Sequence, residues 1–205
     1  MPPAPDPSPR PRRGAIVLCG GQSRRMGRDK ASLPFGDETL LERVARRVLP
    51  AVDELIVAAR PDQDVPGDFD VVHDPPGHES PLAGLVAGLR ALDVEQVFVT
   101  ACDAPLLGTP LVERLFELAR NVEIAVPRVG KHHMVLTAVY SRSVLPRAEA
   151  LLEASRLRPF YLLEQSEVRI VDPDELREVD PDLDGLRDCD TPEAYAWALE
   201  RAGLS

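Results

Sequence analysis

Cysteine is scarce in this chain of 205 residues: there are three, at positions 19, 102 and 189. An odd number so widely spaced is not a disulfide framework, and no CxxC pair suggests zinc, so free and mostly buried thiols are expected. Lysine is scarcer still. Only Lys30 and Lys131 stand among 24 lysines and arginines, and one of the two falls at the end of a glycine-rich stretch. Long apolar runs are missing as well. Nothing approaches the ~18 residues that a membrane span requires. The opening MPPAPDPSPRPRR lacks the apolar middle of a secretory signal, so a cytoplasmic location without membrane association is expected. An excess of positive charge is also absent. A net charge of −10 argues against a partner that is nucleic acid, though it leaves room for a local basic pocket. The adjacent His132 and His133 make poor joint metal ligands, because neighbours on a strand point to opposite faces.

What is present is an ordinary globular composition, 44% hydrophobic and 28% charged, with a length that suits one domain. Six prolines in the first eleven positions mark residues 1–13 as a disordered or polyproline-like leader, and residues 14–205 are read as the domain. From residue 14 apolar runs alternate with helical spacing. GAIVLC, ELIVAA, FDVVHD, QVFVTAC, EIAVP and VLTAVYS read as strands. TLLERVARRVLPAV, PLAGLVAGLRAL, a segment near 110–120, SVLPRAEALLEAS and TPEAYAWALERA read as helices. The last is capped by Thr191 and has Glu193 in its first turn. This order predicts an α/β fold with a mostly parallel sheet and helices on both faces. In such folds the ligand lies at the carboxyl ends of the strands, so the residues just after each strand carry the function.

The first such loop is CGGQSRRMGRDK, residues 19–30. Gly20 and Gly21 permit backbone conformations closed to other residues and let N–H groups approach a ligand. Arg24, Arg25, Arg28 and Lys30 can neutralise several phosphate charges. The stretch reads as a cradle for a nucleoside triphosphate, against the blander reading of a solvated loop. It is neither GxxxxGK[ST] nor GxGxxG. Asp103, after QVFVTAC, is a magnesium ligand or a turn residue. Asp74, after FDVVHD, accepts from both guanine N1–H and N2–H or starts a turn. Gly84 and Gly88 thin one helix face, which could let that helix approach the sheet or a ligand. Asp188 and Asp190, just before the last helix, either add a second metal ligand or help to start that helix.

Taken together, LCGGQSRRMGRDKASLPFG at 18–36, DPPGHESPLAGL at 74–85 and CDAPLL at 102–107 resemble the molybdenum cofactor guanylyltransferase family, the bacterial MobA-like nucleotidyltransferases. AVYSRS and DTPEAY are weaker echoes. The resemblance runs from about residue 14 and implies a Rossmann-like three-layer nucleotidyltransferase fold with a mostly parallel mixed sheet. It implies GTP binding by Leu18, Cys19 and Gly20, with Lys30 on the phosphates, Asp74 near guanine and Asp103 on Mg²⁺ beside GTP. Its acceptor is Mo-molybdopterin, and an insertase or apo-molybdoenzyme is the handover partner that it suggests. In the mechanism it implies, Lys30 and Arg25 stabilise the leaving pyrophosphate. Cys19 stands where the family signature has alanine. Val57 stands where members often have asparagine, and Asp188-Cys189-Asp190 is closer to the cytidylyl relatives. Three alternatives remain beside the guanylyl reading: a cytidylyltransferase for the same cofactor, another small-phosphate nucleotidyltransferase, and a non-catalytic GTP-binding accessory protein.

Overall fold

Strand β1 (Arg13–Leu18) is buried on both faces from Gly14 onward, which is why Ala15, Ile16, Val17 and Leu18 form a continuous apolar run. Ala15 and Val17 enter one hydrophobic cluster, and Ile16 and Leu18 enter another on the opposite face of the sheet. The structure is a computed structural model that describes residues 10–20, 29–75 and 77–204. The expected phosphate-binding Arg24, Arg25 and Arg28, and Gly21, lie outside the described residues. The described chain begins at Arg10, which pairs with Asp53 at 2.6 Å, and Arg12 pairs with Glu54.

After a single helical turn at Lys30–Ser32 comes a small hairpin, β2 (Pro34–Phe35) and β3 (Glu38–Thr39). Helix α1 (Leu40–Val48) follows directly. Thr39 Oγ1 accepts from Glu42 N–H at 3.3 Å, and Glu42 Oε2 accepts from Thr39 N–H at 2.8 Å, which closes a capping box. Then come β4 (Glu54–Ala59), β5 (Val71–His73), α2 (Pro81–Ala91), β6 (Gln96–Ala101) and α3 (Thr109–Leu118). The chain continues through β7 (Ile124–Val129), β8 (His132–His133), β9 (Thr137–Ser141), α4 (Leu145–Glu153), α5 (Phe160–Leu163), β10 (Val168–Val171) and α6 (Pro192–Arg201).

The main sheet has the order β10-β7-β9-β6-β1-β4-β5, with β8 paired to β7. β1 is parallel to β4 and β6, β4 to β5, and β7 to β10. β9 runs antiparallel to both β6 and β7. That reversal brings the start of β9 to the carboxyl edge of β6, with Thr137 opposite Thr100. Residues from α1 and α3 fill the cluster on one face, and residues from α2 and α4 fill the other. This is the expected α/β architecture with a mostly parallel mixed sheet. α6 closes a third, smaller cluster with the β2–β3 hairpin, where Ala198 meets Leu33 and Phe35 and the Tyr195 hydroxyl donates to Pro34 C=O.

Of the two options for the thinned face of α2, contact with the sheet is realised at both glycines. A Cβ on Gly88 would lie 2.3 Å from Ile16 Cδ1, so the helix sits this close to β1 only because the side chain is absent. One turn earlier, a Cβ on Gly84 would lie 2.8 Å from Leu18 Cδ2 and 3.4 Å from Asp74 Oδ1. Gly84 is therefore at the sheet and at the edge of the site. No helix among the described residues is long and apolar enough to cross a membrane.

Candidate active site

The carboxyl ends of β1, β4 and β6, the residues after β5 and the start of β9 surround a cavity of about 390 Å³. Leu18, Cys19 and Gly20 come from the end of β1, Asp74 from the end of β5 and Asp103 from the end of β6. Lys30 enters from the turn that follows the glycine-rich stretch, and Asp188 enters from the segment before α6. Residues far apart in sequence thus meet where the strand-end rule locates a ligand. Asp190 is not part of this wall, although its charge acts on Lys30.

Lys30 and Asp103 form an ion pair in the cavity, with Nζ 2.6 Å from Oδ2 and both side chains largely buried. Burial alone would lower the Lys30 pKa. The charge and hydrogen bond of Asp103, helped by Cys102 and Asp190, outweigh burial and raise it, so the ammonium is held charged. The Asp188 carboxyl is raised by loss of water and then by the neighbouring Asp103 and Asp190. Asp103 and Asp188 therefore line one end of the site with Lys30, and the charge of Asp190 acts on this group from outside the wall. A backbone hydrogen bond, Cys189 N–H to Asp103 C=O at 2.8 Å, fixes the segment before α6 to the loop after β6. Thr191 caps α6 by accepting from Ala194 N–H at 3.2 Å.

At the other end, Asp74 is only 5% exposed. Burial, and then the charge of Glu79, push its carboxyl up to about 6 against the weaker pull of Arg60 and His73. Two glycines face it. A Cβ at Gly20 would lie 3.4 Å from Asp74 Oδ2, as one at Gly84 would from Oδ1. The expectation that Gly20 supplies an unusual backbone conformation is corrected here. It is not among the glycines with positive φ, and a Cβ there would meet Asp74 at ordinary contact distance.

Cys19 and Cys102 end adjacent strands, and the Cys102 thiol is pushed well up by a hydrogen bond with Cys19 and by burial. All three cysteines are free and buried. The wall also holds residues that no sequence pattern singled out, among them Glu79, Met134 and Thr137. Just outside it, Gln63 Nε2 donates to Cys19 C=O at 3.1 Å and to Asp29 Oδ2 at 2.8 Å. No periodicity or motif marks a lone glutamine in PDQDVPGDF. His132 and His133 form β8, and the His133 ring packs against Phe160 with centroids 5.7 Å apart.

A magnesium ion is suited by hard oxygen donors and normally takes one or two carboxylates, with phosphate and water completing its shell. The donor set here fits that description. Asp103 lies on the wall with Asp188 close by, while the described residues contain no cluster of three or more His, Cys, Asp or Glu arranged to hold a metal by themselves.

Relatives of the chain are found both in sequence and in fold. The family described as MobA-like NTP transferase domain matches residues 15–168. A probable molybdenum cofactor guanylyltransferase of Methanosarcina mazei is 35% identical, over 94% of this chain and 94% of the relative. The molybdenum cofactor guanylyltransferase of Vibrio parahaemolyticus is 30% identical over 77% of this chain and 83% of its own. Among solved structures, molybdopterin-guanine dinucleotide biosynthesis protein A of Archaeoglobus fulgidus superposes with a TM-score of 0.82 at 21% identity, covering 94% of this chain and all of that one. The 2-C-methyl-D-erythritol 4-phosphate cytidylyltransferase of Thermus thermophilus shares the fold, with a TM-score of 0.68 at 20% identity and 93% and 97% coverage. Fold and site together define a nucleotidyltransferase. Within that class the chain belongs to the MobA-like NTP transferase family.

Proposed function

We propose that this protein is a molybdenum cofactor guanylyltransferase, moving GMP from GTP to the terminal phosphate of Mo-molybdopterin. The observation that carries the reading is the division of one cavity between a buried carboxylate, Asp74, and a lysine–carboxylate pair, Lys30 and Asp103. Guanine offers N1–H and N2–H together, and Asp74 has two oxygens to accept them, a pair of donors that cytosine lacks. The names carried by relatives at 30–35% identity support the same choice.

In the reaction, an acceptor phosphate oxygen forms a bond to the α-phosphorus while the bond from that phosphorus to the bridging oxygen breaks, and pyrophosphate leaves. A phosphate monoester is already anionic at neutral pH, so the protein's work is positioning and charge neutralisation. Lys30, held charged by Asp103, meets the triphosphate, and Arg25 joins it on the leaving group. Asp103, with Asp190 or Asp188 as second donor, would hold Mg²⁺, which supplies charge neutralisation at the phosphate oxygens when bound. Leu18, Cys19 and Gly20 form the surface against which the nucleotide lies. We propose the cytoplasm as its location and an insertase or apo-molybdoenzyme as the receiver of its product. Calorimetric titration of GTP and CTP, each with Mg²⁺, followed by pyrophosphate release with Mo-molybdopterin, tests the reading. A clear GTP preference with release is expected. Preference for CTP, the outcome towards which Asp188-Cys189-Asp190 leans, would overturn the guanylyl assignment.

A further inference from the structure

We infer that Gln63 is a positioning residue of the nucleotide site, fixing both flanks of the glycine-rich stretch and, through one of them, Lys30. This rests on the nucleotidyl transfer proposed above. A glutamine amide has one acceptor oxygen and two donor hydrogens. Gln63 has a partner for each: Oε1 accepts from Arg60 N–H at 3.4 Å, and Nε2 donates to Cys19 C=O at 3.1 Å and to Asp29 Oδ2 at 2.8 Å. A backbone carbonyl and a carboxylate are both pure acceptors, so only an NH₂ group can serve the two together, which also settles which way the amide points.

Both contacts lead into the cavity. The second oxygen of Asp29, Oδ1, accepts from Ala31 N–H at 3.0 Å and caps the turn Lys30–Ser32, while Ala31 is fully buried in the core. Lys30 therefore leaves the backbone between a carboxylate held by Gln63 and a residue locked in the sheet-side cluster, and from there reaches Asp103 at 2.6 Å. On the other flank, Cys19 N–H donates to Ala58 C=O at 2.8 Å, so β4 grips one side of Cys19 and Gln63 its carbonyl. Gly20, the next residue, is cavity wall. One side chain thus joins residues 19 and 29, and the positions adjoining each of them line the site.

The neighbouring chemistries do not substitute. Glutamate has the shape of glutamine but sets a carboxylate against a carbonyl and another carboxylate. Methionine keeps the length and removes every hydrogen bond. Asparagine is one methylene short. Gln63 is half-buried and belongs to none of the hydrophobic clusters, so removing its amide should leave the fold in place.

The test is calorimetric binding of Mg·GTP, steady-state kinetics and thermal midpoints for wild type, Gln63→Met and Gln63→Glu. In Gln63→Met the Kd and KM for GTP should rise about 10- to 100-fold, the worth of a hydrogen bond to a charged group. The acceptor KM should stay within about twofold of wild type, while loss of hydrogen bonds already present without ligand should lower the thermal midpoint by about 3–10 °C. Gln63→Glu should be weaker than Gln63→Met at pH 8 and approach it as pH falls towards about 5, where a glutamate begins to regain a donor proton. Unchanged GTP Kd and KM in Gln63→Met overturns the inference. So does a loss confined to kcat and thermal midpoint, which is what a merely structural residue gives. If wild type takes CTP instead, the guanylyl reading fails and the same comparison is made with CTP. Binding of neither nucleotide overturns both.

Discussion

Asp74 and Asp103 are the same residue type, at the ends of strands in one sheet, on the wall of one cavity, yet their surroundings are opposite. Asp103 has an ammonium 2.6 Å from its oxygen. Asp74 is buried beside Glu79, and Arg60 and His73 act on it too weakly to offset that environment, so its carboxyl rises to about 6. The first arrangement keeps two opposite charges fixed in place, as electrostatic stabilisation of a phosphate reaction requires. The second makes the ionised form costly, which suits a group that gains by meeting hydrogen-bond donors from a ligand. One cavity therefore has an end built for charge and an end built for recognition.

Breaking the charged end should give the largest effect. Lys30→Ala and Asp103→Asn are each expected to lower kcat by on the order of 10²–10³, measured as pyrophosphate release by protein shown to be folded. Near-normal turnover in either variant would remove that residue from the mechanism.

The recognition end should show itself through pH. The raised Asp74 carboxyl binds its proton more tightly in the folded chain than in the unfolded one. Stability from this group is thus fully present below the ordinary value of 3.8 and is lost as pH rises through about 6. The total is up to about 3 kcal/mol. Asp74→Asn should flatten that dependence, matching wild type more closely at pH 4 than at pH 7.5 in denaturant titrations. In wild type, kcat/KM for GTP should rise through about pH 6 as the carboxylate forms, and in Asp74→Asn it should be lower and flat. A wild-type profile flat between pH 5 and 8 would take Asp74 out of base recognition.

The smallest effect sharpens the contrast. Gly84→Ala puts a methyl 2.8 Å from Leu18 Cδ2 and 3.4 Å from Asp74 Oδ1. An overpacking cost of about 1 kcal/mol should appear as a roughly fivefold rise in KM for GTP with kcat little changed. A fall in kcat at constant KM would mean that the two ends are not separable.

Much of this was legible because buried parallel strands write themselves as apolar runs. AIVL and QVFVTA needed no neighbours to be recognised, and the residue after each strand then pointed to Gly20, Asp74 and Asp103. β10 was missed because VRIV is short, lies at the sheet edge and is largely exposed, so its sequence carries little burial signal. β8 is two residues long, and the hairpin β2–β3 sits in a turn-rich stretch that reads as loop. The reversal of β9 could not be read from composition, since direction depends on connection length and partners. Gln63 was invisible for a different reason. Its importance lies wholly in two acceptors at residues 19 and 29, and nothing local to it records them.

The hydrogen bond from Cys189 N–H to Asp103 C=O also has a consequence for the chain while it is being made. Synthesis delivers the N-terminal part first. Lys30 and Asp103 leave the ribosome well before Leu186, Arg187 and Asp188, which complete the wall. Until residue 189 has emerged, the cavity is open on that side and the loop carrying Asp103 lacks its anchor.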